Sequence, residues 1–217
     1  MSHQTKENVL FISGIDTNVG KTVATGMIAK ALAKAGKKVI TQKMIQTGCE
    51  HVSEDIEAHR QIQGIPFTDE DTRGLTCPYI FTYPCSPHMA AAKDGRRIDL
   101  DTITQSTRRL RETYEYVLLE GYQKIQRYFG SSQVVPIYIE VEDGERLLRA
   151  IARERQQKTP QYEEMCRRFL ADAADFSEEK LTEAGITRRF INNDMEGTIQ
   201  EITEYIRQDM SGTKKQG

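Results

Sequence analysis

Short apolar runs alternate along this chain with longer stretches whose apolar residues recur at helical spacing. Val9-Leu10-Phe11-Ile12 is a continuous apolar run, short enough for a strand buried on both faces. Val23, Met27, Ile28, Ala31 and Leu32 then mark one face of a helix running to about Ala35, with Gly36 placed to end it. Val39 to Met44 reads as a second strand. Ser53-Glu54-Asp55 reads as a helix start, with Ile56, His59, Arg60 and Ile62 on the following turns. Leu75 to Pro87 holds Pro78, Pro84 and Pro87 and reads as an irregular loop. A short helix from Ser86-Pro87-His88 follows, then a longer one capped by Asp99 or Asp101. Tyr116 to Glu120 is an apolar strand ending in an acid. Tyr122 to Phe129 reads as helix, and a proline-bearing strand, a charged helical region, a short strand and a last helix with Ile199, Ile202, Tyr205 and Ile206 inward complete the chain. Strands are expected near 8–13, 38–44, 116–120, 134–141 and 189–192. Strand–helix alternation of this kind predicts an α/β fold, three-layered, with a mainly parallel sheet of about five strands.

The chemistry concentrates between the first strand and first helix, in Gly14-Ile15-Asp16-Thr17-Asn18-Val19-Gly20-Lys21-Thr22. Glycines let backbone N–H groups crowd onto a phosphate, and a helix N-terminus adds its positive dipole. A lysine at Lys21 can span outer phosphates, and the Thr22 hydroxyl can ligate Mg²⁺. This is the composition of the phosphate-binding loop of a P-loop NTPase, with five residues between Gly14 and Gly20 where four are usual. Gly14, Thr17, Asn18, Val19, Gly20, Lys21 and Thr22 are therefore the expected nucleotide contacts.

Other candidates follow from where ligands sit in open α/β sheets, at the carboxyl ends of strands. Lys43 and Thr47 fall there, and Lys43 is otherwise a solvated strand-end lysine. Glu120 ends its strand where a carboxylate faces a metal–phosphate centre. Asp55 is either a helix cap or a second Mg²⁺ partner. His51, His59 and His88 show no metal-ligand spacing and read as surface or packing residues. Arg149, Arg153, Arg155, Lys158, Arg167 and Arg168 read either as solvated faces with Glu145/Arg149, Glu163/Arg167 and Glu164/Arg168 pairs, or as a lid over phosphates near 143–182. Pro136 is awkward in a central strand and predicts a local irregularity.

Composition narrows the class. The 217 residues suit one α/β domain, and a formal net charge of −2 argues against general affinity for nucleic acid or membranes. Cys49, Cys77, Cys85 and Cys166 form no CxxC pair and read as reduced thiols of a cytoplasmic protein. No apolar run approaches membrane-spanning length. The segments 1–7 and 211–217 read as frayed or disordered ends.

Two resemblances divide the chain. The segments Ile12 to Thr22, Gln42-Lys43-Met44-Ile45-Gln46-Thr47-Gly48-Cys49, Cys77-Pro78-Tyr79, Ser86-Pro87-His88 and Val117-Leu118-Leu119-Glu120-Gly121 resemble dethiobiotin synthetase. Five residues between the loop glycines is that family's own spacing. From Tyr122 onward the chain resembles the second half of a guanylate kinase-like protein, in Tyr122 to Gly130, Val134 to Val141, Tyr162 to Phe169 and Phe190-Ile191-Asn192-Asn193-Asp194. The first resemblance implies ATP and Mg²⁺ as cofactors and 7,8-diaminopelargonic acid as substrate. It makes Lys21, Lys43 and Thr47 catalytic, makes Thr22, Asp55 and Glu120 metal ligands, and allows a homodimer. The second implies that Arg155, Arg168 and Asn193 contact the nucleotide. The family's helix for the substrate carboxylate, and the kinase's acceptor segment, have no counterpart in this sequence. The sequence-based expectation is thus an engineered P-loop hybrid of segments 1–121 and 122–210 that binds ATP–Mg²⁺ with weak or no native catalysis. The alternatives are an active dethiobiotin synthetase and, last, a nucleoside monophosphate kinase.

Overall fold

A computed structural model describes residues 9–15, 20–121 and 134–210. The expectations for Thr17, Asn18 and Val19, for a helix over 122–129 and for both chain ends lie outside the described residues.

Each of the five expected strands forms. They are β1 (Val9–Gly14), β2 (Val39–Lys43), β5 (Tyr116–Glu120), β6 (Val134–Glu140) and β7 (Arg189–Ile191), joined in the order β2-β5-β1-β6-β7 with every pairing parallel. The fold is α/β with a five-stranded parallel sheet. Strands β1, β5 and β6 are nearly continuous apolar runs because both faces are covered. On one face Leu10, Ile12, Leu118, Ile137, Ile139 and Phe190 pack against Ala24, Ile28 and Leu32 of α1 (Lys21–Lys34) and Ile199, Ile202 and Ile206 of α9 (Met195–Met210). On the other, Val9, Phe11, Val117 and Leu119 meet Ile103 and Leu110 of α5 (Leu100–Thr113) and Ala90 of α4 (Pro87–Lys93). Sheet and core both run across Gly121, since β1 lies between β5 and β6. Among the described residues no helix is long and apolar enough to cross a membrane, and the four cysteines are free.

Two expectations need correction. The region 75–87 is not wholly irregular: β4 (Tyr79–Phe81) pairs in parallel with β3 (Ile45–Thr47), with Ile45 opposite Tyr79 and Thr47 opposite Phe81. Tyr79 and Phe81 both point into the core, a period-2 signal too short to stand out between Pro78 and Pro84. Pro136 causes no break in register. β6 pairs with β1 over Val134 to Ile139 but with β7 only from Tyr138 onward, so the proline sits where the strand is still an edge.

The charged region forms α6 (Asp143–Arg155), α7 (Tyr162–Asp175) and α8 (Glu178–Glu183). Arg149 pairs with Glu145 at 2.8 Å as expected. Arg167, however, takes Glu164 at 2.6 Å rather than Glu163, because one residue of shift still leaves donor and acceptor on the same helical face.

The helix α2 (Glu54–Gln63) is fixed at both ends. Ser53 caps it, accepting from the Ile56 N–H, and donates its hydroxyl hydrogen to Gln46 Oε1 at 2.8 Å, tying the helix start to β3. Near its other end Arg60 is buried and donates two bonds of 2.8 Å to the Asp71 carboxylate and one of 2.8 Å to Thr41 on β2. Asp71, in α3 (Asp69–Thr72), also accepts from the Thr68 N–H and the Thr76 hydroxyl. Between the ends, Gly26 lets α1 approach: a Cβ there would meet the Ile62 side chain at 2.9 Å.

Burial alone would push the Asp71 carboxyl up, but the Arg60, Thr68 and Thr76 hydrogen bonds outweigh it and hold it below its ordinary value of 3.8. The group therefore contributes stability above about pH 4, lost as pH falls through its folded value. Asp71→Asn should destabilise the fold by about 3–5 kcal/mol at neutral pH, since it leaves the Arg60 guanidinium buried and uncompensated. Urea unfolding at pH 7 and pH 3 measures this, and the gap between parent and variant should shrink at the lower pH.

Candidate functional site

Four elements converge at the carboxyl ends of the strands. β5 delivers Glu120 and β2 delivers Lys43, which are register partners across the sheet. Parallel pairing sets their side chains on one face, and Lys43 Nζ stands 2.8 Å from Glu120 Oε1. The helix α2 delivers Asp55, whose Oδ2 lies 2.6 Å from the same ammonium. The helix α1 delivers Thr22, whose hydroxyl lies 3.0 Å from Asp55 Oδ1 and 3.1 Å from Glu120 Oε1.

Glu120 is buried, with 1% of its side chain exposed. Desolvation would push its carboxyl up, but Lys43 and the hydrogen bond from His59 outweigh it and hold the group well below the usual carboxylate range. Burial likewise pulls Lys43 down, and the Glu120 and Asp55 charges more than reverse it. Lys43 is thus a fixed ammonium at neutral pH and Glu120 a fixed carboxylate.

Thr22 Oγ1, Asp55 Oδ1 and Glu120 Oε1 crowd within hydrogen-bonding distance, with the single Thr22 proton to share between the two carboxylates. Such a set of hard oxygen donors, bearing one more negative charge than Lys43 neutralises, fits Mg²⁺, which takes one or two carboxylates and fills its shell with water and phosphate oxygens. Among the described residues no cluster of three or more His, Cys, Asp and Glu side chains is built to hold a metal. The set is two carboxylates and a hydroxyl.

The loop ends beside this cluster. Gly20 has φ +93° as the N-cap of α1, a conformation that L side chains rarely adopt. A Cβ there would meet Met195 Cε at 2.5 Å and Asn192 Nδ2 at 3.0 Å. Lys21 Nζ donates to the Gly14 carbonyl at 3.3 Å, tying the first turn of α1 to the end of β1.

Thr47, Arg155, Arg168 and Asn193 are the remaining sequence candidates. Thr47 ends β3, half-buried, next to Gln46, which positions Ser53. Arg155 is exposed at the end of α6. Arg168 lies 3.9 Å from Glu154 and 3.8 Å from Glu164. Asn193 is exposed, and its buried neighbour Asn192 is the residue that faces Gly20. Sequence reasoning also passed over His59. Its ring is buried and its Nε2 lies 2.9 Å from Glu120 Oε2. The available signal was its position four residues after Asp55, one turn along the same face of α2.

The chain is 60% identical over 113 residues to the ATP-dependent dethiobiotin synthetase BioD 2 of Haemophilus influenzae, a match covering 52% of this chain and 59% of that protein. It is 53% identical over 131 residues to the BioD 2 protein of Haemophilus ducreyi, covering 60% and 62%. With the dethiobiotin synthetase BioD of Chlorobaculum tepidum it shares 56% identity over 116 residues, covering 54% and 48%. The chain thus spans about half to three fifths of the length of the curated relatives it matches. A family model described as an AAA domain matches residues 8–140, from β1 through β6 and including Thr22, Lys43, Asp55 and Glu120. By that match, which takes in more than half of its length, the chain belongs to this AAA-domain family.

Proposed function

We propose that this chain is an ATP-dependent enzyme of the dethiobiotin synthetase type. The observation that carries the reading is the Thr22–Asp55–Glu120 oxygen cluster beside Lys43, set at the start of α1. In the proposed reaction an amine of 7,8-diaminopelargonic acid attacks CO₂ and loses a proton, giving a carbamate. A carbamate oxygen then attacks the terminal phosphorus of ATP and ADP leaves. The second amine attacks the carbamyl carbon, closing the ring and expelling phosphate.

The residues divide this work by their charges. Lys21 and the N–H groups at the start of α1 hold the outer phosphates. Thr22, Asp55 and Glu120 hold Mg²⁺, which when bound neutralises phosphate charge. Lys43, kept protonated by its two carboxylates, stabilises the charge developing on the carbamate and the transferred phosphoryl group; it acts as an electrostatic partner and not as a base. Thr47 positions substrate from the end of β3.

The other readings draw on the second half of the sequence. The resemblance of 122–210 to guanylate kinase-like proteins is what supports a joined chain with reduced catalysis, or a kinase using Arg155, Arg168 and Asn193. The curated relatives support the synthetase reading instead.

Two measurements test the proposal. Calorimetric titration with ATP–Mg²⁺ should show binding that Lys21→Ala abolishes, because the outer phosphates lose their counter-charge; unchanged affinity would remove Lys21 from the phosphate role. Incubation with diaminopelargonic acid, bicarbonate and ATP–Mg²⁺ should then yield dethiobiotin. Lys43→Ala should lower that turnover by about 100-fold or more, the scale for removing one preorganised electrostatic donor. A chain that binds nucleotide but forms no dethiobiotin above the Lys43→Ala level would overturn the synthetase reading in favour of the joined-chain one.

A further inference from the structure

His59 is a buried imidazole whose one hydrogen bond among the described residues goes to Glu120. We infer that His59 is a positioning residue for the metal–phosphate centre, fixing the rotation of the Glu120 carboxylate so that Oε1, not Oε2, is delivered to Thr22 and the bound cation; the inference rests on the nucleotide reading above.

The geometry is specific. Glu120 Oε2 faces His59 Nε2 at 2.9 Å, while Oε1 faces Lys43 Nζ at 2.8 Å and Thr22 Oγ1 at 3.1 Å. A glutamate's terminal torsion is broad, so a carboxylate held from one side only would swing. With His59 on one oxygen and Lys43 on the other, the plane of the group is set. Glu120 is ionised and can only accept, so His59 donates from Nε2. Delivery of the imidazole is equally defined: His59 follows Asp55 by one turn of α2, so one helix face brings both the second carboxylate and the group that orients the first.

Packing does not account for an imidazole here. His59 is fully buried, and among the described residues its Nδ1 is buried with no hydrogen-bond partner. A buried polar nitrogen without a partner is a cost, and a leucine would fill similar space without it. What a leucine would lose is the hydrogen bond to Oε2. Side chains that orient a metal ligand in this way matter to metal affinity nearly as much as the ligand does.

The test uses the full chain and three substitutions, with ATP affinity measured by calorimetry in the presence and absence of Mg²⁺ and a ligand-free thermal melt alongside. His59→Leu should weaken ATP binding in the presence of Mg²⁺ by about 10–100-fold, while binding without Mg²⁺ stays within about threefold of the parent. His59→Gln, which can donate from a similar reach, should restore most of the loss. His59→Asn, polar but too short to reach Oε2, should behave like the leucine variant and serves in its place if the leucine variant does not fold. Parent-like magnesium-dependent binding in the leucine or asparagine variant overturns the inference. So does an equal loss with and without Mg²⁺, or a glutamine variant as impaired as the asparagine one, since both are marks of a packing role. A parent chain whose ATP binding ignores Mg²⁺ overturns the nucleotide reading and this inference with it, which separates the two failures.

Discussion

The constraint on which the site depends is the burial of one carboxylate. Glu120 ends the interior strand β5 in a place water does not reach, and an isolated charge there would cost several kcal/mol. The fold meets that cost from three directions: a lysine on the neighbouring strand, a hydroxyl on the first turn of α1 and an imidazole on α2. Each of those elements is held where it is partly because Glu120 must be satisfied. The site and the core are in this sense one construction.

The helix α2 shows how a distant ion pair serves the same end. Asp55 and His59 are useful only if α2 keeps its height and rotation over the sheet. Ser53 bonded to Gln46 sets the start, and Arg60 bonded to Asp71 and Thr41 sets the other end. Neither pair touches the carboxylate cluster. Both are buried and fully oriented, so a shift of α2 would break several charge-assisted bonds at once. That stiffness is what keeps Asp55 against Lys43 and His59 against Glu120.

Much of this was legible in the sequence, for reasons that can be named. Parallel strands covered on both faces leave apolar runs such as Val9 to Ile12 and Val117 to Leu119, which fixed all five strands of the main sheet. The glycines and Gly20-Lys21-Thr22 mark a candidate phosphate loop because that chemistry tolerates few substitutes. Lys43, Asp55 and Glu120 stand out by their places at strand ends and a helix start, and the structure brings them together. The β3–β4 pair was not legible, since three residues between prolines carry too little periodicity. His59 was missed because a histidine's meaning depends on what lies across from it, and Glu120 is 61 residues away in sequence. Asn192 and Asn193 are indistinguishable in the sequence, and the turn before α9 shows that Asn192 is the one facing Gly20.

That turn bears on how the two differently reading halves of the chain relate. Residues after Gly121 do more than extend the sheet. Met195 and Asn192 close against Gly20, where even a methyl group would collide with them, and Phe190, Ile199, Ile202 and Ile206 share one core with Leu10, Ile28 and Leu118. The start of α1 therefore has its backbone walled by a segment about 170 residues further along the sequence. A second half merely appended to the first would leave Gly20 open and the α1 face of the sheet half-covered. Instead the left-handed conformation that Gly20 needs is enclosed by the chain's far end. The surroundings of Gly20 thus belong jointly to the part of the chain that resembles dethiobiotin synthetase and to the part beyond it.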